Sequence, residues 1–116
     1  MKVGTYDFGY ERVTINLSRG DGGSYSNRPY KSNCPVITIG ADATWIAVVD
    51  ALLHEATELS SMRKMCRFNQ NYDGGDDNGN YTFIYTHTQF SQVLWPVAVL
   101  LVDCLSDLKK AWGRFK

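Results

Sequence analysis

The chain has 116 residues, and twelve Lys and Arg balance twelve Asp and Glu, for a formal net charge of zero. This length and an apolar share of 44% predict one globular domain over residues 1–116 with a single core. Zero net charge, with no basic excess, argues against a dedicated nucleic-acid binder.

Taken in chain order, the N-terminal segment MKVGTYDFGYERV lacks the apolar region of a signal peptide. Arg12 to Leu17 alternates polar and apolar, the pattern of a half-buried strand. Asp7 to Gly9 offers a turn from an earlier strand into it. Residues 18–33 are rich in Gly, Ser and Asn and read as a long loop. Pro35 to Gly40 reads as a short buried strand ended by glycine. A helix then starts near Asp42, an N-cap type, and runs to about Met65. Trp45, Val48, Val49, Leu52, Ala56 and Leu59 recur at steps of three and four and define its core face. Arg63 and Lys64 suit the negative end of its dipole, and with Arg67 they read as a solvated basic face.

Asp73 to Asn80 carries strong turn chemistry and predicts a hairpin whose second arm is Tyr81 to Tyr85. It does not fit a calcium loop, because Gly75 takes a ligand place and Ile84 falls where the bidentate Glu belongs. Thr86-His87-Thr88-Gln89 fits a capping box that opens a second helix. Phe90, Val97, Leu101, Cys104, Leu108 and Trp112 form its apolar stripe, and Pro96 should kink or divide it. The longest apolar stretch, Val93 to Val102, is far short of the ~20 residues that span a bilayer. Cys34, Cys66 and Cys104 are odd in number and widely spaced, so they form neither a disulfide framework nor a zinc-finger pattern. Reduced thiols in a cytoplasm fit best. The elements together predict an α+β fold, a small antiparallel sheet packed against two main helices.

The chain has only two histidines. His54 lies within Leu53-His54-Glu55-Ala56-Thr57-Glu58, and His87 in the first turn of the second helix. His54 and Glu58 are four apart and share a helix face. The small residues Ala47, Ala51 and Ser61 beside them would let a second element approach closely. Zinc takes three or four N, O or S ligands, with a place left open in a catalytic site. His54 and Glu58 could supply two ligands and His87 a third. At a helix N-terminus His87 would be kept neutral, the form that binds metal. Glu55 could act as general base toward the ion's water. The competing reading is a surface His–Glu pair and a helix-opening histidine.

The segment from Leu53 to Glu58 resembles a variant of the zincin metallopeptidase motif, His-Glu-x-x-His, with Glu58 where the second histidine stands. It is also similar to small bacteriophage proteins that carry His-Glu-x-x-Glu followed by Thr-His. The resemblance implies a minimal zincin-like arrangement, a metal ligand at His54 and a base at Glu55. Two functional expectations follow. One is a zinc-dependent hydrolase or peptidase-like protein acting on a peptide or protein, away from nucleic acid and membrane. The other is a non-catalytic phage-encoded interaction or inhibitor protein whose His/Glu cluster is structural or vestigial.

Overall fold

The computed structural model describes residues 1–26, 34–69 and 81–115. The turn expected at Asp73–Asn80 and the Pro29 part of the long loop lie outside the described residues. The fold is α+β, in the order β1 (Lys2–Phe8), β2 (Glu11–Ser18), β3 (Gly23–Ser26), β4 (Val36–Gly40), α1 (Trp45–Arg63), β5 (Arg67–Asn69), β6 (Tyr81–Phe83) and α2 (His87–Phe115).

The first two strands form a hairpin in which Phe8 pairs with Glu11. Its two-residue turn has Gly9 at φ 73° and Tyr10 outside the positive region. That is the type II′ pattern, which needs glycine at its first central position. The alternation read in Arg12–Leu17 holds, with Val13, Ile15 and Leu17 buried. The sheet is mixed rather than wholly antiparallel. Its order is β1-β2-β4-β3, with β4 parallel to β2 and antiparallel to β3. Part of the expected long loop is therefore an edge strand: β3 runs back beside β4 and leaves β4 in the interior of the sheet. β5 and β6 pair as a separate antiparallel hairpin.

Both helices lie on one face of the sheet, α2 against β1 and α1 against β3 and β4. Tyr6, Ile15 and Ile39 from the strands, Leu52 and Leu59 from α1, and Leu100 and Leu108 from α2 belong to one buried cluster. The N-cap of α1 is Thr44, whose hydroxyl accepts from the Ala47 amide. Asp42, the expected cap, instead accepts from the Gly20 amide at 2.6 Å and from Arg19 at 2.9 Å. The capping box at α2 forms as read. The Thr86 amide donates to Gln89 Oε1, and the Gln89 amide to Thr86 Oγ1, at 2.9 and 3.1 Å.

Pro96 does not divide α2, which continues from His87 to Phe115 with Pro96 buried. The ring packs on the β1–β2 turn, where a Cβ added to Gly9 would lie 3.2 Å from its Cγ. Taken whole, α2 is long and apolar enough to cross a membrane by those measures alone. Its Val93, Val97, Leu100, Cys104, Leu108 and Ala111 side is nonetheless buried within the chain.

Candidate metal centre

Glu55 sits on the core side of α1, in line with Val48, Leu52 and Leu59 at steps of four, three and four. A glutamate there is largely covered by the packing, and it is 8% exposed, with its carboxyl oxygens still reaching water. Gly23 on β3 makes the burial feasible. A Cβ at Gly23 would stand 3.0 Å from Glu55 Cγ and 3.5 Å from Ala51 Cβ. The close approach expected beside the small residues of α1 therefore occurs, with β3 as the approaching element.

One turn along, His54 and Glu58 face each other, with Nε2 and Oε2 3.4 Å apart. The His54 side chain is 70% exposed and that of Glu58 15%. One ligand atom from each of His54, Glu55 and Glu58 can be chosen so that all lie within 4.8 Å of one another. Two donors at ~2.0–2.1 Å on a tetrahedral ion stand roughly 3.3 Å apart. The His54–Glu58 separation matches that edge.

The electrostatics of the cluster are unbalanced. Among the described residues Glu55 forms no hydrogen bond and no ion pair. Burial first, and the Glu58 carboxylate second, push its carboxyl above the ordinary range, while His54 pulls the other way. Partial burial of a carboxylate without a donor is costly, although its oxygens still reach water at the floor of an open depression. A cation placed among the three side chains would remove both the desolvation cost and the repulsion between the carboxylates. Their hard oxygen and borderline nitrogen donors suit a divalent ion such as zinc.

Glu58 has further partners. Arg67, the first residue of β5, donates from Nη1 to Glu58 Oε1 at 3.2 Å. The same nitrogen donates to the Tyr25 hydroxyl on β3, and that hydroxyl reaches Met62 Sδ at 3.9 Å. Arg63 is also engaged, holding both oxygens of Glu11 at 2.7 and 3.2 Å. These two arginines thus leave the basic face expected from the sequence and make specific pairs.

His87 does not join the cluster. It is exposed in the first turn of α2, and its carbonyl accepts from Ser91 at 3.3 Å. The segment ahead of α2 is pinned further along α1, where Ser61 and Tyr85 share a hydrogen bond of 2.7 Å. That anchor brings Phe83 and Tyr85, not His87, to the groove beside His54 and Glu58, a cavity of about 430 Å³ also lined by Leu53 and Thr57. A second depression of about 600 Å³ flanks His54 and Glu55 and carries Asp21, Asp42 and Asp50.

Arg67 and Tyr25 are the members of the site that sequence reasoning misses. No spacing links residues 25, 58 and 67. The burial of Glu55 did leave a signal, because position 55 falls inside the apolar series that marks the core face. Comparison with known protein families, with curated proteins and with solved structures finds no match to this chain.

Proposed function

We propose that this chain is a small metal-dependent hydrolase-like protein whose divalent ion, zinc by the chemistry of the donors, is held by His54, Glu55 and Glu58. The observation that carries the reading is Glu55, a largely covered glutamate with no partner among the described residues, placed beside a His–Glu pair at the spacing of two zinc ligands. With His87 outside the cluster, Glu55 serves better as third ligand than as general base. Three protein ligands leave the open place that a catalytic site requires. When bound, the ion would polarise a carbonyl and activate water at neutral pH.

The chain's own residues would shape access to the ion. His54 lines both cavities. Leu53, Phe83 and Tyr85 give one of them an apolar wall that suits a side chain of a peptide or protein substrate. The second reading, a non-catalytic interaction protein, is favoured by a different observation. Phe83, Ile84, Phe90, Leu94 and Trp95 are all exposed, more apolar surface than a small catalytic groove requires.

Metal analysis of tag-free protein separates the two. The hydrolase reading expects about one ion per chain, with occupancy lowered in His54→Ala, Glu55→Gln and Glu58→Gln and kept in His87→Ala. Wild-type protein that takes up no zinc, cobalt or manganese would leave the interaction reading alone. Loss of the ion in His87→Ala would restore the ligand set expected from spacing.

A further inference from the structure

We infer that Arg67 is the positioning residue of this metal site and that, through it, the β5–β6 hairpin sets how tightly the ion is held. The inference rests on the metal-site reading, because it assigns a role relative to Glu58 as ligand.

A glutamate on a helix has free torsions and two equivalent oxygens, so an unrestrained Glu58 would lose rotamer freedom on taking up an ion. Arg67 removes that freedom in advance. Its guanidinium is a donor only and engages Oε1 at 3.2 Å. The other oxygen is left turned toward His54 at 3.4 Å. Arg67 is itself held from another element. It donates to the Tyr25 hydroxyl on edge strand β3, and its Cζ lies 5.9 Å from the centre of the Tyr25 ring. The Arg67 and Glu58 side chains are only 19% and 15% exposed, so solvent loosens this pair less than an ordinary surface ion pair.

The guanidinium also lessens the repulsion that the Glu58 carboxylate exerts on Glu55; its own charge opposes a nearby cation, so the hold it keeps on Glu58 is what favours binding. Arg67 touches Glu58 and not the other two members of the cluster, so it acts through that ligand. Groups that hold a metal ligand from behind typically contribute 10–100-fold in metal affinity.

A double-mutant cycle read by Zn²⁺ affinity tests this, with competition against a chromophoric chelator and the absorption of Co²⁺-loaded protein as readouts. Arg67→Gln should weaken Zn²⁺ binding roughly 10–100-fold and shift the Co²⁺ spectrum. Arg67→Lys keeps the charge without the planar fork, and should recover part of the affinity. In a Glu58→Gln background, Arg67→Gln should bring no further loss. Melting of the metal-free variants reports any general damage, and Arg67→Lys carries the test if Arg67→Gln folds poorly. If Arg67→Gln binds as tightly as wild type, or its loss adds in full to that of Glu58→Gln, the positioning role is overturned and the metal site stands. If wild-type protein binds neither ion, the metal site falls and the positioning role with it.

Discussion

Glu55 is held where its own ionisation is unwelcome. Its carboxyl is raised above the ordinary value of 4.5, chiefly by burial, so the folded chain binds that proton more tightly than the unfolded chain does. Stability must then fall as pH rises through the window above 4.5 and be recovered as pH drops back through it. Glu55→Gln removes the ionisation without removing the shape. In metal-free protein at neutral pH it should raise the melting temperature by a few degrees, and the gain should vanish on acidification. Thermal melts of both proteins across that range check this, and a variant that melts lower at neutral pH would show that the carboxylate has a stabilising partner. The same substitution is expected to cost metal occupancy, so the residue would trade stability for function. The sequence makes half of this legible. His54 and Glu58 are found by their spacing of four, and Glu55 by its place beside His54. That Glu55 is buried follows from its line with Leu52 and Leu59, yet a glutamate is ordinarily read as exposed. Arg67 and Tyr25 have no such signal, because Arg67 is brought to Glu58 and Tyr25 to Arg67 by the packing of β5 and β3 on α1.

Local chemistry decides some elements and distant partners decide others. The capping box at Thr86 is complete within four residues and forms as its sequence dictates. Asp42 and Thr44 are both good cap types, and nothing within the helix chooses between them. The Gly20 amide takes Asp42, and the cap falls to Thr44. Pro96 is a similar case: an isolated helix would break there, but burial against the β1–β2 turn outweighs the lost hydrogen bond. That contact makes Gly9 a sensitive position. Its φ of 73° is disfavoured for any residue with a Cβ, and the added carbon would crowd the Pro96 ring at 3.2 Å. Gly9→Ala should destabilise the fold by about 1–2 kcal/mol on backbone grounds alone. Urea denaturation measures this as a lower midpoint with unchanged slope. An unaltered midpoint would mean that the turn can change type and that the Pro96 contact is slack.

For the molecule as a whole, the sequence conveys the layers better than the order of strands. Two amphipathic helices and several short strands already imply helices on a sheet. The parallel pairing of β2 with β4 is hidden because β3, which completes the sheet, is written Gly-Ser-Tyr-Ser. Its only large apolar side chain is Tyr25, and it is a strand because β4 offers it an edge.

The core that joins this sheet to both helices is built from side chains such as Ile15, Ile39, Leu52, Leu59, Leu100 and Leu108. The candidate ligands all sit on one side of α1, at the rim of that cluster. A chain of this size can bury enough surface to fold unaided, so an ion at the rim should add stability without being required for folding. Excess EDTA should leave the helical circular dichroism intact, and added Zn²⁺ should raise the melting temperature with its concentration, as binding to the folded state alone demands. The buried thiols give a second, independent reading. Cys66 and Cys104 are buried and Cys34 is partly exposed, with Thr14 Oγ1 3.3 Å from its sulfur. Burial first, then Asp103 and Asp107, push the Cys104 thiol up to about 12, which leaves almost no thiolate at neutral pH. In EDTA a thiol reagent should therefore still find Cys66 and Cys104 protected and react only at Cys34. Prompt labelling of all three, together with loss of helix, would make the ion a structural one and place part of the fold's stability at His54, Glu55 and Glu58.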